Sequence, residues 1–141
     1  MSTYLVPYLN FTGTTRDAMS FYESVFGGQL EIMTYGDMGD PAEMGMPPEA
    51  ASAVMHSALT TSESVVIYAS DLMDPTDVPK NGHVALSGDE HDVLSGWFEA
   101  LAAGGTIDEP LEKAPWGDYF GQVTDKFEIT WLVNIAGGDQ G

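Results

Sequence analysis

The strongest constraint on how this chain can fold is an internal repeat. Phe21-Tyr22-Glu23 runs into Gly27-Gly28, and roughly 75 residues later Trp97-Phe98-Glu99 runs into Gly104-Gly105. Around each copy the pattern is the same: a β-prone segment, an amphipathic stretch closed by the glycine pair, then three further β-prone segments. A unit of this kind has a sheet face that it cannot bury alone. Two copies are therefore expected to pack their sheets about a pseudo-twofold axis and to leave a concave space between them. The expected fold class is α+β: a single domain of two βαβββ modules with paired sheets enclosing a pocket, at about 1–71 and 82–136 of 141 residues.

In the first copy, residues 3–11 read as a strand, with Pro7 putting it at an edge or a bulge. Gly13-Thr14-Thr15 offers a helix start, and Ala18, Phe21, Tyr22, Val25 and Phe26 recur at helical spacing up to the glycine pair. Residues 29–35 are a strand. From 36 to 51 the pattern dissolves into glycine, proline, alanine and acids with Met38, Met44 and Met46 among them. This reads as a long mobile loop, either a lid or a plain excursion. Residues 53–61 and 64–70 form a hairpin turning at Ser62-Glu63. Residues 71–81 are a linker in which Asp71, Asp74 and Asp77 are three apart, unlike the alternating ligands of a calcium loop, and read as linker acids.

The second copy opens with a strand at 82–87. Asp89 is a candidate cap for a helix whose apolar stripe is Val93, Leu94, Trp97, Phe98 and Leu101. Residues 106–113 are a strand, and 119–124 and 128–133 form a hairpin turning at Asp125-Lys126-Phe127.

Charge excludes one class of partner. Acids outnumber bases 22 to 4, for a formal net charge of −18, and Arg16, Lys80, Lys113 and Lys126 are scattered. They form no basic patch for nucleic acid. The acidity suits either a solvated surface or a groove that attracts a cationic ligand. With no cysteine, disulfides, thiolate chemistry and a cysteine zinc site are excluded, which favours a cytoplasmic location. No run approaches the roughly 20 apolar residues of a membrane span, so no membrane partner is expected; the first residues lack the basic start of a signal peptide. Gly36, Gly39 and Gly45 do not follow the strand-to-helix arrangement that cradles a nucleotide, and no cofactor is expected.

With these letters in this order, the chain resembles the vicinal oxygen chelate superfamily, the glyoxalase, bleomycin-resistance and extradiol dioxygenase group, and within it the PhnB-like branch. The resemblance rests on Pro7-Tyr8-Leu9-Asn10-Phe11, Phe21-Tyr22 and Val25-Phe26-Gly27-Gly28. It continues in Val54-Met55-His56-Ser57-Ala58-Leu59, in Ala69-Ser70-Asp71, and from Trp116-Gly117 through Asp125-Lys126-Phe127 to Trp131. It implies a bacterial origin and a homodimer. One departure is Glu128, where the family has glycine after Asp-Lys-Phe.

Metal-using members of that superfamily carry His or Glu on the first and last strands of each module. The resemblance puts those positions near Val6 or Pro7, near Ile67 or Tyr68, at His83 and near Thr130. One imidazole in four is a weak ligand set, so no metal ligand is assigned. His83 has three readings: a metal ligand, a hydrogen-bonding or acid/base group in a pocket, or a structural histidine. His56 has the last two. His91, in the polar first turn of the second helix, reads as exposed and is given no function. Tyr8, Tyr68, Trp116 and Trp131 are either walls that stack on a flat ligand or plain core. The candidate ligand-binding set is Tyr8, His56, Tyr68, His83 and Trp116, with no catalytic residue assigned. The expected function is a metal-independent, homodimeric binding protein for a small molecule. The alternative is a divalent-metal-dependent lyase, isomerase or dioxygenase of the same superfamily.

Overall fold

The β-branched and aromatic runs form strands, and the stretches with helical spacing form helices, in the order that the repeat implies. A computed structural model describes residues 5–45, 48–61, 65–73, 76 and 78–137. The first module contains β1 (Tyr8–Phe11), α1 (Thr15–Phe26), β2 (Gln29–Thr34), a short α2 (Tyr35–Met38), β3 (Val54–Thr60) and β4 (Val66–Asp71). The second contains β5 (His83–Gly88), α3 (His91–Ala102), β6 (Thr106–Lys113), β7 (Tyr119–Thr124) and β8 (Thr130–Ile135). Each forms a four-stranded sheet, ordered β1-β4-β3-β2 and β5-β8-β7-β6. In each sheet the first strand runs parallel to the last, and the other pairs are antiparallel. The fold is α+β, built from two βαβββ modules. The chain divides into two compact units, Met1–Asn81 and Gly82–Gly141.

The repeated glycine pair has a repeated physical cause. Gly27 and Gly104 leave their helices at φ of 76° and 79°, a conformation that costs an L-residue roughly 1–2 kcal/mol. The next glycine then passes hard against the end of a neighbouring strand. A Cβ on Gly28 would strike the carbonyl oxygen of Thr60, and one on Gly105 that of Thr124. Both modules therefore need glycine twice, first for φ and then for space.

Each helix covers one face of its own sheet. α1 buries Ala18, Met19, Tyr22 and Phe26, and the facing strands bury Leu9, Phe11, Leu59, Ile67 and Ala69. α3 buries Leu94, Phe98 and Leu101 above Leu86, Val123, Trp131, Val133 and Ile135. The stripes are narrower than periodicity alone suggests. Phe21, Val25 and Trp97 are half-buried and Val93 is exposed, whereas Met19 is fully buried.

Several expectations are corrected. β1 starts at Tyr8, and of its expected earlier residues Thr3 and Tyr4 lie outside the described ones. Residues 36–51 are not a featureless loop. The Thr34 hydroxyl accepts from the Asp37 N–H at 3.2 Å while the Asp37 carboxylate accepts from the Thr34 N–H at 2.9 Å. This reciprocal cap starts α2. Prolines then open two 3₁₀ turns, Pro41–Met44 and Pro48–Ser52. Met46 and the Ser62-Glu63 turn lie outside the described residues.

Asp71 is not a linker acid. It ends β4, and its carboxylate accepts from the Thr15 N–H at 3.1 Å and the Val54 N–H at 2.9 Å, tying the starts of α1 and β3 together. Asp74 and Asp77 lie outside the described residues. The end of that segment is also structural, because the Asn81 amide bonds both the N–H and the carbonyl of Asn10, at 2.7 and 2.9 Å. One side chain thus satisfies the exposed edge of β1. Asp89 does not cap α3; Glu90 is its N-cap, with no side-chain bond.

In the last hairpin, β8 starts at Thr130 because the turn is longer than three residues. Asp125, 2% exposed, accepts from the backbone N–H groups of Phe127 and Ile129 and from Trp131 Nε1. Glu128, within this turn, has φ of 72°. The position where the resemblance expects glycine thus has a left-handed φ, and a glutamate occupies it.

Candidate functional site

Strand alternation decides which side chains remain free. In the first module Leu9, Phe11, Ser57, Leu59, Ile67 and Ala69, with Leu30 and Ile32 in register beside Leu59 and Ser57, face α1, which leaves Tyr8, Tyr68, Ala58, His56, Met33 and Glu31 on the opposite face. Tyr8 is paired in register with Tyr68, Tyr68 with Ala58, Ala58 with Glu31, and His56 with Met33. Three of the candidate residues meet there. The His56 ring lies edge-on to Tyr68 with centroids 5.0 Å apart, Tyr8 lies 6.1 Å from His56, and Tyr8 and Tyr68 are edge-to-face at 6.4 Å. Aromatic edges and faces at these separations attract one another and hold a defined shape. Tyr8 is 49% exposed and Met33 42%, so the cluster offers apolar surface with a phenol and an imidazole at hand. Met33 and Glu31 belong to this face but were not among the candidates; the alternation within β2 was the signal for them.

The other two candidates belong to the second module. His83 is exposed at the start of β5, in register with Thr130. It shares its face with Thr124, Asn134 and Phe120, the side of the sheet away from α3. Trp116 is on the connection between β6 and β7, a turn closed by the Ala114 N–H to Asp118 carbonyl and Gly117 N–H to Ala114 carbonyl bonds. It is 66% exposed, and its ring lies 6.5 Å from that of Phe120. Trp131, which shared the reading of cavity wall or core, is core at 1% exposure with its N–H on Asp125.

Trp116 also lines an open concavity of about 630 Å³ together with Asp89, His91, Lys113, Asp118 and Tyr119. His91 is exposed, as its position in the polar first turn implied, yet its ring stands perpendicular to Tyr119 at 4.9 Å and its Nδ1 is 3.3 Å from the Ser95 hydroxyl. Asp118 is occupied structurally: its carboxylate accepts from the Gly137 N–H at 2.8 Å and from Asn134 Nδ2 at 3.1 Å.

The superfamily's metal chemistry can be tested against this donor set. The strand positions implied by the resemblance do pair in space, with the Tyr68 N–H on the Pro7 carbonyl and His83 beside Thr130. Their side chains are a proline ring, a phenol, an imidazole and a hydroxyl. Among the described residues no three His, Asp or Glu side chains gather to hold an ion. This set does not fit a divalent ion.

The order of elements, the duplicated four-stranded sheets and an open sheet face bearing an aromatic cluster define a two-module chain of the βαβββ class. A profile of the Glyoxalase/Bleomycin resistance protein/Dioxygenase superfamily matches residues 5–133, and the chain belongs to that superfamily. Protein YjdN of Escherichia coli is 31% identical over 140 residues, covering 94% of this chain and 95% of that protein. The crystal structure of protein PA1353 from Pseudomonas aeruginosa superposes with a TM-score of 0.79 at 33% identity, covering 96% and 98% of the two chains. A Bacillus cereus structure described as a putative 3-demethylubiquinone-9 3-methyltransferase, PhnB protein, has a TM-score of 0.68 at 23% identity, covering 95% of this chain and all of that one. The PhnB-like resemblance read from the motifs thus has a structural counterpart of that name. No helix among the described residues is long and apolar enough to cross a membrane.

Proposed function

We propose that this chain is a metal-independent, homodimeric small-molecule binding protein that takes a flat cationic ligand on the open sheet face of its first module. The observation that carries this reading is the Tyr8, His56 and Tyr68 cluster, three rings within about 6.5 Å of one another on a partly exposed face. A planar cation gains stacking and cation–π attraction on such rings. Glu31, on the same face, and the net charge of −18 favour the positive sign. Metal independence is supported by the donor set at the strand positions, which lacks three of four usable ligands. A cytoplasmic location goes with this reading, supported by the absence of cysteine.

The test is a titration with proflavine, a planar cation, followed by fluorescence anisotropy. Tyr68→Ala should weaken binding roughly tenfold, and raising salt should weaken it in the parent protein, since screening acts over about 8–10 Å. Binding that ignores both changes would remove this assignment. Sedimentation velocity reads the dimer. Melting temperatures with Ni, Zn, Mn and Fe(II) should stay where they are without metal; a rise abolished by His83→Ala would restore the metalloenzyme alternative.

A further inference from the structure

The second module carries a second concavity that adjoins the one beneath Trp116. It measures about 320 Å³ and is walled by Phe98, Ile107, Pro110 and Leu111. His91 and Tyr119 line both. Their perpendicular ring pair is therefore a shared rim: polar groups and an indole lie on one side, and a mainly apolar surface that also carries Ser95 and Glu99 lies on the other. Ile107 is half-exposed on this apolar side.

The polar side has a distinctive charge. Lys113 is one of only four bases in a chain with 22 acids, and among the described residues no carboxylate pairs with its ammonium. Asp118, the nearest acid in sequence on that wall, is already committed to the Gly137 N–H and the Asn134 amide. When the Ser95 hydroxyl donates to His91 Nδ1, the ring proton sits on Nε2 and adds a second donor. Asp89 is the other acid on this wall, and Glu99 lines the adjoining hollow.

We infer that this double concavity is a second binding site, for an amphipathic aromatic carboxylate. Its carboxylate meets the Lys113 ammonium, its ring lies on Trp116, and its alkyl tail crosses the His91–Tyr119 rim onto Ile107 and Phe98. The site is independent of the Tyr8, His56 and Tyr68 face, uses different residues, and selects the opposite charge.

The experiment is a titration of the full chain with 4-butylbenzoate, read on the indole N–H signals of the three tryptophans by two-dimensional NMR and assigned with Trp116→Phe. The Trp116 signal should move while that of buried Trp131 stays. Benzoate, lacking the tail, should bind at least tenfold more weakly, since each buried methylene contributes on the order of 0.8 kcal/mol. Lys113→Gln should weaken binding roughly threefold to fivefold, the range of an exposed charge pair, and Asp89→Asn should tighten it about twofold by removing an opposing charge. Tyr68→Ala should change nothing, which separates this site from the sheet-face site. Both charge variants are at exposed positions, and the same spectra report that they are folded. The inference is overturned by a silent Trp116, by equal binding of the neutral 4-butylbenzamide, or by an Asp89→Asn variant that binds less tightly.

Discussion

The two modules share a topology but differ in what connects their strands. In the first, β2 and β3 are joined by α2 and two 3₁₀ turns, and the open face carries a ring cluster. In the second, β6 and β7 are joined by the short turn bearing Trp116, and the concavities lie against the helix side. What stays the same is what the sheet and helix demand: the strand order, the parallel pair and the two glycines. What differs is in the loops and on the faces that the helices leave open. The scaffold occurs twice, and each copy leaves a different surface exposed.

The largest effects should come from the two carboxylates that each clamp the inside of one module, and they break the symmetry. Asp125 accepts three donors at 2% exposure, whereas half-buried Asp71 accepts two. Asp125→Ala strands the Trp131 indole N–H and two turn N–H groups, and should cost roughly 3–4 kcal/mol in urea unfolding; Asp71→Ala should cost roughly 2–3. Equal costs would mean that burial of the clamp matters less than its presence.

The glycine pairs sharpen the comparison next. Alanine at Gly28 or Gly105 drives a Cβ into a backbone carbonyl, which should cost about 2 kcal/mol at either. Gly28 has in addition a φ of 89°, so Gly28→Ala should exceed Gly105→Ala by about 1 kcal/mol. A reversed order would show that the second module is the less able to relax.

A smaller effect with the opposite sign is expected in the last turn. Glu128 holds φ of 72° without being glycine, so Glu128→Gly should stabilise the chain by about 0.5–1 kcal/mol, net of the added freedom of the unfolded chain. A lower melting temperature would mean that the glutamate side chain makes a compensating contact.

The smallest effect belongs to α2, which has no counterpart in the second module. The Thr34 backbone N–H, then its hydroxyl, hold the Asp37 carboxyl below the usual carboxylate range, with a further lowering from Arg16. A group whose folded pKa is depressed stabilises above its unfolded value and loses that contribution as pH falls through the folded one. Protection of the amides of residues 35–38, taken as exchange relative to the intrinsic rate at each pH, should therefore be greater at neutral pH and fall below about pH 4, and Asp37→Asn should remove that dependence. Protection that is equal at both pH values would show that the cap does not hold α2.

Much of the fold was legible because the repeat is carried by residues under local constraint. The glycine pairs, the helix spacing and the aromatic runs each act within a few residues of themselves, so their letters report them directly. The departures came where a side chain acts across sequence. Asp71 reads as a linker acid until Thr15 and Val54 are seen to donate to it, and Asp125 reads as one turn residue until it gathers the indole of Trp131. Of the candidate site, Tyr8, His56 and Tyr68 do share a face, but nothing in their letters could say so, because β1, β3 and β4 meet only through the register of one parallel and one antiparallel pairing.

Sequence by itself thus determined the duplicated α+β plan, the acidic surface, the poor metal-ligand set and the superfamily, since all of these follow from residue type and local period. Only the tertiary structure decided which rings cluster, that Trp131 is core and Trp116 is not, and that the hollow bordered by Lys113 and Trp116 adjoins the one bordered by Ile107 across His91 and Tyr119. The physical reason is that a strand's two faces are chemically distinct only once a helix has covered one of them. Which partner strand, and therefore which side chain, lies alongside is set by hydrogen-bond register between segments far apart in the chain.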